Sequence, residues 1–172
     1  NGNILSLQRA KENGTIIDNF TYNYGANNNQ LTHVDDAVVG NTDIQDLKDQ
    51  NANNYLYDKL GRMTANLVED IQYIYNTQGL VTEIRKRSNN NLIIAMAYNE
   101  RGQRIQKNSY NTTNGSLLST EYYVLDIAGN TIGIYNKPAT QSIVLKENVI
   151  FGLSRIGVYK RQTNLASYEI TD

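Results

Sequence analysis

One pattern limits the folds open to this chain more than any other feature: Tyr, then Asp or Asn, two free positions, then Gly. It occurs as YDKLGRMT from Tyr57, YNTQGLVT from Tyr75 and YNERGQRI from Tyr98, and with Leu125 in the leading place as LDIAGNTI. An Asp or Asn side chain folds back onto the amides that follow it. A Gly three residues later supplies the positive φ that other residues resist. Each copy therefore reads as a tight turn. The glycines at 61, 79, 102 and 129 stand 18, 23 and 27 residues apart, an elasticity that suits hairpins with loops of variable length and not stacked helices.

The series extends beyond these four copies. NGNI at the start supplies the back half of one more, Gly2-Asn3, and FTYNYGANNNQLTHV around Gly25 is a looser copy with an inserted Asn tract. YEITD from Tyr168 resembles YYVLD from Tyr122, so both ends read as lying within repeats and the chain is expected to be a section of a longer one.

What flanks the turns alternates with a period of two. Ile71, Tyr73 and Tyr75 share one face against Gln72 and Asn76, and Leu80, Thr82 and Ile84 oppose Glu83, Arg85 and Arg87. LIIAMAY, residues 92–98, is apolar on both faces and is expected to be a central strand buried on both sides. Further strands are expected near 4–9, 15–24, 117–125, 131–136, 142–151 and 157–161. With 13 tyrosines, a single proline (Pro138) and abundant Asn between apolar runs, the residue choice favours strands. The fold class is all-β: consecutive antiparallel hairpins forming a twisted, curved sheet, one repeat region over 1–172. Residues 35–54, DDAVVGNTDIQDLKDQNANN, break the rhythm and are expected to be a long polar loop, with one short helical turn through DIQDLKD.

A net charge of −1 with both signs interspersed leaves no field to gather nucleic acid or an anionic membrane. There is no cysteine for a disulfide or a zinc site, and no apolar run approaches the ~20 residues of a spanning helix.

The copies YDKLGRMT, YNTQGLVT and YNERGQRI resemble the Tyr-Asp (YD) repeats of the RHS superfamily, whose usual form is Tyr-Asp-x-x-Gly-Arg. YYVLDIAGNTIGIY, FGLSRIGVY and YEITD further resemble the stretch that precedes the core-associated region in Bacteroidetes-type members. The likeness covers most of the chain, residues 35–54 least. It implies hairpins joined edge to edge into a sheet that spirals into a hollow shell, commonly enclosing a C-terminal toxin. The implied protein is bacterial, secreted or at the cell surface. Its implied partners are neighbouring repeats and the enclosed domain or a secretion or surface protein, without nucleic acid or membrane insertion. Other members are adhesion proteins, so a cell-surface adhesion or glycan-binding role is the alternative. The matching positions are Tyr57, Asp58, Gly61 and Arg62; Tyr75, Asn76 and Gly79; Tyr98, Asn99 and Gly102; and Asp126 and Gly129. In the family these are architectural, so the resemblance implies a non-enzymatic segment with no cofactor. The chain departs in using Asn twice for Asp and in keeping the Arg after Gly only at Arg62. The family's self-cleavage motif is not within these residues.

Chemistry-bearing candidates are few. FGLSRIG spaces Gly152, Ser154 and Gly157 one residue too widely for a nucleophile elbow, and the only histidine, His33, is expected to be solvated in an Asn-rich turn. Asp35, Asp36, Asp43, Asp46 and Asp49 form an acidic stretch, but neighbours on an extended chain face opposite ways, whereas glycoside hydrolysis needs two carboxyls facing one sugar. DQNANN offers Asp49, Asn51 and Asn53 as calcium ligands, yet its twelfth position is Leu60 where a bidentate Glu belongs. The tyrosines suit a stacking platform for sugars or bases, or, as favoured here, packing across strands. The sequons at Asn13, Asn19, Asn111 and Asn114 are what chance gives in so Asn-rich a chain.

Overall fold

The computed structural model describes residues 2–39, 47, 49–152 and 154–169. Among them there is no helix; the chain is all-β and antiparallel. Strands β1 (Ser6–Ala10), β2 (Ile16–Tyr24) and β3 (Leu31–Asp36) make a three-stranded sheet. Eleven more follow in a second sheet, each hydrogen-bonded to its neighbours in chain order. They are β4 (Tyr55–Tyr57), β5 (Met63–Asn66), β6 (Ile71–Tyr75), β7 (Val81–Lys86), β8 (Leu92–Tyr98), β9 (Arg104–Tyr110), β10 (Leu117–Leu125), β11 (Thr131–Pro138), β12 (Val144–Phe151), β13 (Arg155–Lys160) and β14 (Leu165–Tyr168). Contacts divide the chain into two units, Asn1–Gln72 and Tyr73–Asp172.

The first unit holds what apolar core there is. Among the described residues the fully buried apolar side chains are Ile17, Phe20, Val34 and Ala65. Its buried polar groups fasten the segment after β3. Asp18, with no exposed surface, pairs with Arg9 and accepts the Leu47 amide at 3.0 Å. Gln50 closes the edge of β3, its backbone amide donating to the Val34 carbonyl and its Oε1 accepting the Val34 amide at 3.0 Å. Its Nε2 donates to the Tyr55 hydroxyl. Asn54, 2% exposed, accepts the Val68 amide at 2.7 Å and donates to Asn66 Oδ1. The expected surface loop is thus corrected at its ends: β3 runs to Asp36, and Gln50 and Asn54 are buried because their amides replace the strand partners that their neighbours lack. The helical turn expected through DIQDLKD falls mostly outside the described residues.

The second unit has no such core. Among its described residues the fully buried positions are Thr120, Glu121, Gly133 and Gly157. Strand β8, expected to be buried on both sides, is instead half-buried along most of its length and Ala97 is exposed.

Candidate functional site

The four turns of the repeat share one geometry. Asp58, Asn76, Asn99 and Asp126 each donate a backbone amide to the residue four ahead, at 2.9 Å, and accept the amide of the Gly three ahead, at 3.0 Å. Their side-chain Oδ1 atoms accept a second set of amides: Leu60 and Arg62 on Asp58, Gln78 and Leu80 on Asn76, Arg101 and Gln103 on Asn99, Asn130 on Asp126. The glycines have φ of 79, 80, 76 and 93°. This is a three-residue hairpin turn closed by a left-handed glycine and a bulge. The residue after each Gly braces the turn where its chemistry allows: Arg62 Nε donates to Asp58 Oδ2 at 2.7 Å, Asn99 Nδ2 to Gln103 Oε1 at 2.7 Å and Asn130 Nδ2 to Asp126 Oδ2 at 2.9 Å. Leu80 cannot. Hydrogen bonds from Asn130 hold the Asp126 carboxyl below its ordinary range. At Asp58, desolvation pushes the other way and bonds from Arg62 and Leu60 outweigh it.

The leading tyrosine has a role that spacing alone did not show. Tyr98 Oη donates to the Val81 carbonyl at 2.7 Å and Tyr57 Oη to the Leu31 carbonyl at 2.8 Å. Tyr24 Oη donates to the Ile4 carbonyl at 2.8 Å. Val81 stands two residues past Gly79 and Ile4 two past Gly2, whose φ is 78°. Leu31 follows Gln30, which closes the looser turn at Gly25. In each case the tyrosine of one turn is bonded to the strand leaving the turn before it. Burial pushes the Tyr57 phenol up, with the Tyr55 charge adding to it. Leu125, which leads the turn at Gly129, has no hydroxyl for this bond.

Between β9 and β12 the second unit carries a charged cluster. Glu121, 8% exposed, lies directly across from Lys107 and Asn136 in the ladder. It takes the Lys107 ammonium on Oε2 at 2.6 Å and the Lys146 ammonium on Oε1. Burial alone would raise its pKa, but the bonds and charges of the two lysines outweigh it and hold the carboxyl down to about 2. Tyr123 Oη donates to Glu121 Oε2 at 3.1 Å. Burial, reinforced by the Glu121 charge, pushes that phenol up to about 12. The Arg104 guanidinium lies over the Tyr123 ring, 4.6 Å from its centroid.

The other candidates are used structurally. His33 is on β3 and not in a solvated turn; only 18% of its side chain is exposed, with Thr32 Oγ1 3.0 Å from Nδ1 and Asp35 Oδ1 3.4 Å from Nε2. Ser154 is exposed in the turn between β12 and β13, whose carbonyl accepts the Gly152 amide. Asp35 accepts from Asn23, while Asp36 is buried and accepts the Asn19 and Val38 amides. Asp49 accepts the Asp36 amide. Asp43 and Asp46 lie outside the described residues. Among the described residues no group of three or more His, Asp or Glu side chains is placed to hold a metal ion, and no helix is long and apolar enough to cross a membrane. No protein-family model matches the chain, and no curated protein matches it.

Proposed function

We propose that this chain is a stretch of wall in a secreted or surface-displayed bacterial YD-repeat protein of the RHS superfamily, and that it acts by containment and not by chemistry. The wall keeps an enclosed C-terminal toxin or effector apart from its surroundings until release. The observation that carries this reading is the way the hairpins are joined. Each strand of the long sheet pairs with its neighbours in sequence, every repeat turn has the same geometry, and tyrosine hydroxyls tie one turn to the strand before it. Such a sheet lengthens by adding repeats and does not need to close on a core of its own, so its stability is a sum of local and nearest-neighbour terms. The test is intact-mass and N-terminal analysis of the native full-length protein after gel filtration, with limited proteolysis alongside. A C-terminal piece that co-elutes and separates only on denaturation supports containment. A single chain with no separable or protease-protected piece refutes it.

A second reading, adhesion through a glycan-binding surface, has one observation in its favour. Tyr122 and Tyr135 lie directly opposite each other across β10 and β11, 36% and 37% exposed. Paired open phenol faces of this kind stack on sugar rings. Binding of the full-length protein to a glycan array, lost on Tyr135→Ala, would favour it.

A further inference from the structure

The chain's net charge of −1 divides unevenly between its two units. Residues 1–72 hold five Lys and Arg against ten Asp and Glu, whereas residues 73–172 hold eleven against seven. The second unit is therefore a basic body, and an excess of one sign draws the other. Part of that excess gathers at one end of β12. There the Arg161 amide donates to the Lys146 carbonyl at 3.0 Å, which sets two cations side by side across strands. Like charges so placed repel and are ordinarily avoided in sheets. Glu121 takes the Lys146 ammonium but shares itself with Lys107, and Glu147 stands across the ladder from Lys160. Four cations thus meet two carboxylates, and Arg161 has no charged partner among the described residues. A place where a sequence breaks a local rule is where function is expected.

Beside this pair of cations lies a pocket of about 550 Å³, a volume in the range of pockets that hold small ligands. Lys146 and Arg161 line it, and Ser119, Asn136 and Gln162 add uncharged polar groups. Ser119 and Asn136 are half-buried, yet neither side chain makes a hydrogen bond among the described residues, nor does that of Arg161 or Gln162. The side chains of Asn108, Asn111 and Asn130 in the same unit are all bonded. Glu121 occupies one N–H of the Lys146 ammonium, which leaves two of its three donors over. Those donors and the planar fork of Arg161 suit one oxyanion. A serine hydroxyl and two side-chain amides can each donate and accept, which suits hydroxyl groups beside that oxyanion. Val144 and Leu145 give the pocket an apolar wall for ring C–H groups. A nucleic acid fits it less well, because no aromatic side chain lines the pocket for a base to stack on and the Glu121 carboxylate does. Glu121 and Asn136 alternate along their strands with Tyr122 and Tyr135, so they point away from the face of that exposed pair.

We propose that this pocket binds an acidic sugar, with its carboxylate or sulfate held between Lys146 and Arg161 and its hydroxyls met by Ser119, Asn136 and Gln162. The site is independent of the containment reading and separate from the tyrosine pair. The test is isothermal titration calorimetry of the full-length protein with four probes: a galacturonate tetramer, whose rings carry carboxylates; a carrageenan tetrasaccharide, whose rings carry sulfates; neutral maltotetraose; and sodium sulfate. One of the two acidic saccharides should bind, and which one does tells carboxylate from sulfate. Maltotetraose and inorganic sulfate should bind at least about tenfold more weakly. Arg161→Gln, at an exposed position, should weaken the acidic saccharide about tenfold, the loss of one charge-assisted contact. Lys137→Gln, which removes an equal charge from the other face, should change nothing. Equal weakening by the two variants would make the attraction a property of the unit's overall charge and overturn the site. Failure of both acidic saccharides to bind would overturn it as well. So would maltotetraose or sulfate binding as tightly as the acidic saccharide, since hydroxyls alone or charge alone would then suffice.

Discussion

Replacing Glu121 with Gln tests whether the charged cluster holds β9, β10 and β12 together. Glu121 is almost wholly buried and faces two ammonium groups within 2.6 Å. Its carboxyl titrates at about 2 in the fold against 4.5 when free. At about 1.4 kcal/mol per pKa unit, that difference corresponds to a ceiling of about 3 kcal/mol on what the ionised form adds to stability. Because the folded pKa is depressed, the contribution is fully present above the unfolded pKa and is lost as pH falls from about 5 towards 2. Glu121→Gln keeps the shape and removes the charge, leaving Lys107 and Lys146 without their shared acceptor. The variant should therefore be less stable by about 2 to 3 kcal/mol at pH 7. The gap should close as pH approaches 2. The chain has no tryptophan, so urea unfolding can be followed by tyrosine fluorescence in both proteins across pH 2 to 7. Other carboxylates titrate in both, and the difference isolates position 121. A gap that stays constant with pH, or is absent at pH 7, would show that the lysines gain as much from water as from Glu121.

Three further perturbations probe the joins between repeats. Tyr98→Phe removes the hydroxyl that donates to the Val81 carbonyl and also contacts Met96 Sδ, and should cost about 1 kcal/mol in urea unfolding, with faster amide exchange localised to β7 and β8. Asn54→Ala removes the acceptor of the Val68 amide and the donor to Asn66 in a site 2% exposed, and should cost about 2 to 4 kcal/mol; a loss below 1 kcal/mol would mean that water replaces it readily. Gly129→Ala places a side chain at φ 93°, where a Cβ would meet the Gln103 amide that braces the Asn99 turn. It should destabilise by about 1 to 2 kcal/mol, and nuclear magnetic resonance should show the disturbance at Asn99 as well as at Asp126.

The turns were the legible part of this chain, because their chemistry is local. An Asp or Asn and a Gly three residues later fix the turn without reference to anything distant, and strands expected near 15–24, 117–125, 131–136 and 142–151 formed at Ile16–Tyr24, Leu117–Leu125, Thr131–Pro138 and Val144–Phe151. Burial was harder to read. LIIAMAY looks like a strand covered on both sides, but its composition does not say whether a second layer exists to cover it. The burial of Gln50 and Asn54 was equally hidden, since a polar amide inside a polar stretch gives no hydrophobic signal and acts only through a strand edge that the fold brings to it. Glu121 is a similar case: its two lysines, at 107 and 146, come together only once β9 to β12 are in register. The tying role of the tyrosines was hidden too, because each acceptor is a backbone carbonyl, at Ile4, Leu31 and Val81, that any residue supplies.

A sheet with so little apolar burial must take its order from elsewhere, and the second unit shows from where. Among its described residues the buried side chains are polar: Thr120, which donates to Asn108 at 2.8 Å, and Glu121. Polar contacts are directional and costly to leave half made, so they fix register more sharply than oily packing does. A one-residue slip of β10 against β9 would carry Glu121 away from Lys107 to the opposite face and strand both charges.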